Sequence, residues 1–170
     1  EPVVILWEDE TILVVEKPAG QLSVATDKME IDTLHSRCVD YMRQKDEKNW
    51  CYIVHRLDRD TSGVMVFALH QRHKEYLQAQ FAERAVHRTY HALIEGRPKE
   101  MQGTAKEWLV EDKNLFVKRV KSTFHGSREA ITHWQVVDTD NHTSLIQITI
   151  ETGRRHQIRM AMRSLGCPVV

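Results

Sequence analysis

The sequence predicts an α+β fold with a mixed, mostly antiparallel sheet and flanking helices. Short apolar runs of strand length outnumber the segments with a helical spacing. Several of these runs follow one another directly, separated by turn residues, as antiparallel neighbours do. The 170 residues are 41% apolar and 28% charged, which is a globular composition for one domain of ordinary size.

The first half of the chain predicts a hairpin, two helices and a buried strand. Apolar runs at residues 3–7 and 12–16 flank a polar turn, which is a hairpin signal. A helix follows an Asp32 N-cap, with its apolar positions at Leu34, Cys38, Tyr41 and Met42. Residues 64–69 form a continuous apolar run, typical of a buried strand. A second amphipathic helix ends near Arg84, and its apolar positions are Leu69, Tyr76, Leu77 and Phe81.

The second half predicts five strands and a third helix. The strands cover residues 88–94, 106–110, 116–120, 130–137 and 144–152. The helix is indicated by apolar residues at positions i, i+3, i+4 and i+7, and Gly166 is expected to end it. Its apolar residues are Ile158, Ala161, Met162 and Leu165.

Composition and spacing argue against several classes of function. Three cysteines without a C-x-x-C pair indicate reduced thiols in a cytoplasmic protein, and the apolar runs are far shorter than the roughly 18 residues of a membrane helix. The glycines form neither of the two common nucleotide-binding loops. No cysteine or carboxylate completes a metal set with the paired histidines at 70 and 73 or at 87 and 91. We therefore expect no cofactor, no metal and no membrane contact.

A net charge of zero conceals a gradient along the chain. Residues 1–50 carry 11 acidic and 6 basic side chains, whereas residues 113–170 carry 4 acidic and 9 basic ones. A basic face built from the last third could therefore attract a polyanion locally.

The first candidate site is the polar cluster His55-Arg56-Leu57-Asp58-Arg59-Asp60-Thr61-Ser62-Gly63, which lies between two apolar runs. Loops placed in this way on a rigid sheet often carry catalytic groups. If the segment is extended, Arg56, Asp58 and Asp60 share one face. A carboxylate beside a guanidinium stays ionised and can act as nucleophile or base. The alternative is a surface loop with ordinary ion pairs.

The second cluster is Thr152-Gly153-Arg154-Arg155-His156-Gln157-Ile158-Arg159. We expect Gly153 to lead into the third helix, whose N–H groups would form an anion site together with Arg154 and Arg155. Arg155, Arg159 and Arg163 are spaced i, i+4, i+8, so one of them could reach a buried carboxylate while the others meet phosphate. The alternative is a solvated helix face.

Tyr90 lies on a predicted strand and shares a face with Arg88 and Ala92. Its ring could offer a nucleic-acid base a stacking plane and a hydroxyl group. Cross-strand packing is the alternative.

In this order, the two clusters resemble the two signature motifs of RNA pseudouridine synthases of the RluA type. The flanking segments agree: residues 12–20 resemble the opening strand and turn of the family, Arg88-x-Tyr90-x-Ala92 its tyrosine motif, and Ala130-x-Thr132-x-Trp134 a later strand. The ordered match runs from about residue 5 to residue 170.

The resemblance implies a role for several residues. Asp58 would attack the target uridine at C1′ or at C6, Arg159 would pair with Asp58, and Tyr90 would stack on the base. Arg56 would fill the space that the flipped uridine leaves in the RNA. The reaction converts uridine to pseudouridine and needs no cofactor. We expect further substrate contacts from His55, Arg154, Arg155, His156 and Gln157.

The resemblance also implies the organisation and partners of the chain. We expect residues 1–170 to be a single pseudouridine synthase catalytic domain, truncated or incomplete at its C-terminus and without an S4 domain. The partner would be ribosomal or transfer RNA, bound by a monomer. Phosphate contacts are expected from Lys113, Lys118, Arg119, Lys121 and Arg128. A non-catalytic RNA-binding module and a small-molecule carboxylate enzyme are the alternatives.

Overall fold

The computed structural model describes residues 2–170, and it divides the chain into two compact units, Glu1–Ala85 and Val86–Val170. Among the described residues, each unit has its own sheet, with four strands in the first unit and five in the second. Within each unit, every strand pair among the described residues is antiparallel. The α+β class is therefore confirmed, but the parallel pairing expected of a mixed sheet is not found inside either unit. A single catalytic domain over residues 1–170 stays a prediction.

Residues 2–85 of the first unit form four strands and two helices. They are β1 (Val4–Glu8), β2 (Ile12–Lys17), α1 (Leu34–Arg43), β3 (Tyr52–Ile53), β4 (Gly63–Ala68) and α2 (Gln71–Ala82). The strand order is β1-β2-β4-β3, so the predicted hairpin and the strand after residue 63 are confirmed. Met65, Phe67 and Ala68 are buried as predicted, whereas Val64 is 60% exposed. Lys17 at the end of β2 lies opposite Gly63 at the start of β4. The end of β2 and the loop that precedes β4 are therefore neighbours.

The N-cap of α1 is Thr33 and not Asp32, which corrects the sequence prediction. The Thr33 side chain accepts a hydrogen bond from the Ser36 backbone N–H at 3.1 Å, and the Ser36 hydroxyl accepts one from the Thr33 N–H at 2.9 Å. This reciprocal arrangement is a capping box. Asp32 instead forms an ion pair with Arg37, with a distance of 2.6 Å between Oδ1 and Nε.

The second helix forms, but it begins at Gln71, so Leu69 precedes it and does not belong to its apolar face. That face is only half-buried. None of the residues of α2 is buried, and the Tyr76 side chain is 67% exposed. Leu77 and Phe81 lie one turn apart on the same side, whereas Tyr76 lies roughly 140° around the helix from Phe81. Tyr76 therefore does not belong to the packed face.

The second unit contains five strands and one helix. They are β5 (Arg88–Glu95), β6 (Gln102–Glu111), β7 (Val117–Val120), β8 (Arg128–Thr139), β9 (Thr143–Ile150) and α3 (Gln157–Ser164). The strand order is β5-β9-β8-β6-β7. All five predicted strands are present, and β6 and β8 extend beyond their predicted ends.

One face of the second sheet packs against α3. Along β9 the even-numbered residues are buried and the odd-numbered ones between Leu145 and Thr149 are exposed, as a half-buried strand requires. Ile146, Ile148 and Ile150 form a core cluster with Ala161 and Met162 of the helix. Gly166 has a φ of 76° and follows the helix C-cap, which confirms the predicted end of α3.

The three cysteines are buried and unbridged. Burial raises the pKa of the Cys38 thiol to about 12 and also raises the pKa of Cys51. Within residues 2–170, no helix has both the length and the apolar character needed to cross a membrane.

Candidate active site

The candidate nucleophile Asp58 lies in the loop of residues 54–62, here called the aspartate loop, which joins β3 to β4. Val54 and Leu57 are buried and anchor the loop, whereas Asp58 is half-buried. The Ser23 hydroxyl donates a hydrogen bond to the Leu57 carbonyl oxygen at 2.5 Å and accepts one from the Leu57 N–H at 3.0 Å. One buried side chain thus fixes both backbone groups of the residue before Asp58.

A turn begins at Asp58, so the segment is not extended beyond this residue. The Asp58 carbonyl oxygen accepts a hydrogen bond from the Thr61 N–H at 3.1 Å. The chain must reverse between β3 and β4 because these two strands pair antiparallel. Arg56, Asp58 and Asp60 therefore do not share a face by strand alternation. Arg56 and Asp60 are exposed.

Lys17 ties the aspartate loop to the turn that follows β2. Its side chain is fully buried, and Nζ donates to the carbonyl oxygens of Pro18 at 2.9 Å, Gln21 at 2.6 Å and Arg59 at 2.7 Å. All three donors of the ammonium group are thereby used. Burial lowers the pKa of Lys17, an effect that the charges of Asp60 and Asp58 oppose. Sequence reasoning noticed Lys17 only as part of a turn.

His55 has a structural role in the first unit. Its Nε2 accepts a hydrogen bond from the Val66 N–H at 3.1 Å, and its ring stacks on Phe81 with 4.9 Å between the ring centroids. The imidazole thus occupies the edge of β4 just beyond the point where β3 ends. A contact between His55 and substrate stays a prediction.

Tyr90 lies on β5 with its side chain on the packed face of the second sheet. Burial alternates along β5, and Tyr90 and Ala92 both pack against the core cluster. The predicted sharing of a face by Arg88, Tyr90 and Ala92 is therefore confirmed. Tyr90 is half-buried, so part of its side chain remains accessible.

The segment of residues 152–156, here called the arginine turn, joins β9 to α3. The helix begins at Gln157, later than predicted, after His156 in the left-handed conformation with a φ of 54°. Arg155 precedes the helix, so the predicted stripe of arginines begins only at Arg159. Arg155 instead forms an ion pair with Glu111, with 3.1 Å between Nε and Oε1. Arg159 and Arg163 are exposed on α3.

Gln157 is the buried anchor of the arginine turn. Its Oε1 accepts hydrogen bonds from the Thr152 hydroxyl at 2.8 Å and the Arg154 N–H at 3.1 Å. Its Nε2 donates to the Ile131 carbonyl oxygen and the Thr132 hydroxyl, both at 3.0 Å. The amide therefore binds the turn to β8, and the structure gives it this role in addition to the predicted contact with substrate.

The predicted site residues fall into two groups, one in each unit. His55, Arg56 and Asp58 lie on the aspartate loop, and the second group comprises Tyr90, Arg154, Arg155, His156, Gln157 and Arg159. The pairing of Asp58 with Arg159 stays a prediction. In the part of the chain that the structure describes, no three His, Cys, Asp or Glu side chains cluster as a metal site would.

Comparison with known proteins decides the family. The sequence profile described as RNA pseudouridylate synthase matches residues 11–164. The chain belongs to this family. The match includes the aspartate loop, Tyr90 and the arginine turn, so both groups of candidate residues lie inside the region that matches the family.

Curated relatives support the family assignment. The chain is 36% identical over 167 residues to the dual-specificity RNA pseudouridine synthase RluA of Vibrio cholerae, covering 98% of this chain and 65% of the relative. It is 35% identical over 170 residues to the ribosomal large subunit pseudouridine synthase D of Zymomonas mobilis, covering 97% of this chain and 53% of the relative. The chain thus spans between about half and two thirds of the length of these pseudouridine synthases.

Solved structures show the same fold. The human RNA pseudouridylate synthase domain containing 4 superposes with a TM-score of 0.82 at 23% identity, covering 98% of this chain and 66% of that one. The human RNA pseudouridylate synthase domain containing 1 gives a TM-score of 0.78 at 24% identity, covering 100% of this chain and 68% of that one.

Proposed function

We propose that this chain is the catalytic part of an RNA pseudouridine synthase that isomerises a specific uridine, with Asp58 as the nucleophile. The observation that carries the proposal is the position of Asp58. This half-buried carboxylate follows a residue whose two backbone groups are fixed by Ser23, and it lies inside the region that matches the family. A fixed backbone holds the carboxylate ready for attack.

The reaction rearranges bonds without gain or loss of atoms overall. The Asp58 carboxylate attacks C1′ or C6 of the uridine, and the bond between N1 and C1′ breaks. The base turns, and a bond forms between C5 and C1′. The proton on C5 leaves to solvent and N1 gains one, while the carboxylate is released.

The second unit supplies the groups that would bind the flipped base. Tyr90 would stack on the uracil ring, because its own ring is held against the apolar core. Arg159 would pair with the Asp58 carboxylate and keep it ionised. Arg56 would enter the space that the uridine vacates, which offsets part of the cost of unstacking, a few kcal/mol.

Phosphate contacts would come from the basic arm, defined here as residues 112–128, which includes β7. Lys113, Lys121 and Arg128 are exposed. Lys118 lies over the Phe124 ring, with 5.4 Å between Nζ and the ring centroid, and Arg119 lies 3.7 Å from Glu107. Lys118 and Arg119 are exposed as well, but each already has a partner, so Lys113, Lys121 and Arg128 are the most available for phosphate.

Ribosomal or transfer RNA is the substrate that we propose. One relative is named for the ribosomal large subunit and another for dual specificity. Sequence-specific recognition of RNA usually targets loops whose bases can be splayed out, and such loops occur in both classes of RNA.

The experiment is tritium release from RNA labelled with 5-³H-uridine. We expect the wild-type chain to release tritium from a transcript of large-subunit ribosomal RNA or from transfer RNA. Asp58→Asn should lower the rate by at least about 10⁴-fold while leaving RNA affinity within about two-fold, because the amide cannot act as the nucleophile. Asp60→Asn, two residues away on the same loop, is the matched control and should retain most of the rate.

The same experiment separates the proposal from a non-catalytic RNA-binding module. Such a module would bind the transcripts with no tritium release from the wild-type chain. An Asp58→Asn variant as active as wild type would show that another group is the nucleophile.

A further inference from the structure

Gly153 lies in the arginine turn at a position where the backbone does not need glycine. Its φ lies outside the left-handed region. A Cβ atom built there would lie 2.5 Å from Nη1 of Arg88, and its next two neighbours, at 3.4 and 3.5 Å, are also atoms of the Arg88 guanidinium. The absence of a side chain at Gly153 thus makes room for this one group.

Arg88 reaches the turn because of the strand register. It is the first residue of β5 and pairs with Ile150, the last residue of β9. Its long side chain therefore extends past the end of β9 to the segment that follows. Burial lowers the pKa of the Arg88 guanidinium, and the electrostatic interaction with Tyr90 on the same face opposes this shift. The guanidinium nevertheless stays charged, because arginine is not deprotonated in proteins.

The contact joins the two functional elements of the second unit. Tyr90 is two residues from Arg88 on β5, and Arg159 lies in the first turns of the helix that the arginine turn leads into. We propose that Arg88 is a positioning residue, whose guanidinium seated on Gly153 holds the arginine turn and the start of α3 against the strand that carries Tyr90. This inference rests on the proposed function, because its effect is on the rate of that reaction.

Two substitutions break the same contact by different means. Arg88→Met removes the guanidinium and keeps much of the side-chain length. Gly153→Ala keeps the guanidinium and displaces it, because the methyl group takes its place. If both act through one contact, their effects do not multiply in the double variant.

The experiment measures kcat and KM by tritium release for wild type, both single variants and the double variant. We expect each single substitution to lower kcat on the order of ten-fold, since small misplacement of reacting groups has effects of this size or larger. KM should stay within about two-fold, and the double variant should be no slower than Arg88→Met. Arg88→Lys should restore part of kcat.

Urea unfolding of the same four proteins tests the contact without activity. Gly153→Ala should lower the unfolding midpoint when Arg88 is present and leave it unchanged in Arg88→Met. A merely structural role would give this coupling in the midpoint with no change in kcat. Arg97→Met, an exposed arginine of the same unit, is the control for both measurements.

The outcomes separate the two proposals. Losses of kcat that multiply, an unchanged kcat, or a change in KM alone would overturn the positioning role of Arg88. If Arg88→Met does not fold, Gly153→Ala and Arg88→Lys decide the question, because both retain the charge. A wild-type chain that converts no uridine would overturn the proposed function, whereas an active wild type with unaffected variants would overturn only the positioning role.

Discussion

At Leu57, one buried hydroxyl group holds both the N–H and the carbonyl oxygen of the residue before the candidate nucleophile. Ser23 is only 3% exposed, so its hydrogen bonds do not compete with water. A hydrogen-bonded pair of this kind fixes the direction in which the next side chain leaves the backbone. The orientation of Asp58 thus depends on a residue 35 positions earlier in the chain.

Ser23→Ala tests this dependence. The substitution leaves two buried backbone groups without a partner, which costs about 1–3 kcal/mol for each group that water cannot reach. We expect a lower free energy of unfolding in urea and a reduced kcat in the tritium assay. Ser62 is an exposed serine of the aspartate loop, and Ser62→Ala is the control that should change neither the free energy of unfolding nor kcat. An unchanged kcat in a destabilised Ser23→Ala protein would show that Ser23 serves stability only.

The roles of individual residues were only partly predictable from the sequence. The face of Tyr90 follows from the two-residue period of a strand, which is a local property. The role of Gln157 could not be read in this way, because its amide binds Ile131 and Thr132 on a strand 25 residues earlier. Lys17 was missed for the same reason, since its third acceptor is Arg59.

At the level of elements, two hairpin turns are closed by the same arrangement, here called the turn device, in which an aspartate carboxylate accepts hydrogen bonds from backbone N–H groups two and three residues later. Between β1 and β2, the Asp9 carboxylate accepts hydrogen bonds from the N–H groups of Thr11 at 2.7 Å and Ile12 at 2.9 Å. Between β8 and β9, Asp140 accepts from His142 and Thr143, both at 2.7 Å. Because the Asp9 and Asp140 side chains accept all of these bonds, the bonds favour the ionised form of each carboxyl group.

The turn device predicts a dependence of stability on pH. Hydrogen bonds, led by the one from Trp7 to Asp9 and the one from the His142 N–H to Asp140, hold the pKa of both carboxyls below the ordinary value of 3.8. A group whose pKa is lower in the folded state stabilises that state above its unfolded pKa and loses this contribution as the pH falls. We therefore expect the urea concentration at the unfolding midpoint to decrease as the pH is lowered from about 5 to about 2.

The double variant Asp9→Asn, Asp140→Asn should show a shallower decline of the midpoint over that pH range. Glu10→Gln, in the first of these turns, is the control and should leave the decline as steep as in wild type. An equally steep decline in the double variant would mean that other carboxyls dominate the acid response.

The start of α3 shows why element boundaries were harder to predict than elements. The apolar spacing of Ile158, Ala161 and Met162 correctly predicted the helix. It did not show that the Gln157 side chain binds the Arg154 N–H and so keeps that residue in a turn. Arg155 consequently precedes the helix, does not belong to the predicted stripe of arginines, and pairs with Glu111.

Over the whole molecule, charge divides between the two units. Glu1–Ala85 carries 15 acidic and 11 basic side chains, whereas Val86–Val170 carries 9 acidic and 13 basic ones. The excess of positive charge in the second unit includes the basic arm. Attraction of RNA phosphates should therefore come chiefly from the second unit.

The salt dependence of RNA affinity tests this division. We expect the triple variant Lys113→Gln, Lys121→Gln, Arg128→Gln to reduce the slope of log affinity against log salt by about 2, because each phosphate contact on single-stranded RNA contributes about 0.7. A control triple variant in the first unit, Lys28→Gln, Lys48→Gln, Arg72→Gln, should keep the wild-type slope. Equal effects of the two triple variants would contradict the division.

The buried thiols can report local opening of the unit in which each of them lies. Cys38 and Cys51 are fully enclosed in the first unit, and Cys167 is 5% exposed in the second. A maleimide can reach such sulfur atoms only when the surrounding structure transiently opens. Labelling followed by peptide mass spectrometry would therefore measure the opening rate of each unit separately, with no engineered probe. The same measurement with RNA added would show in which unit RNA slows the opening.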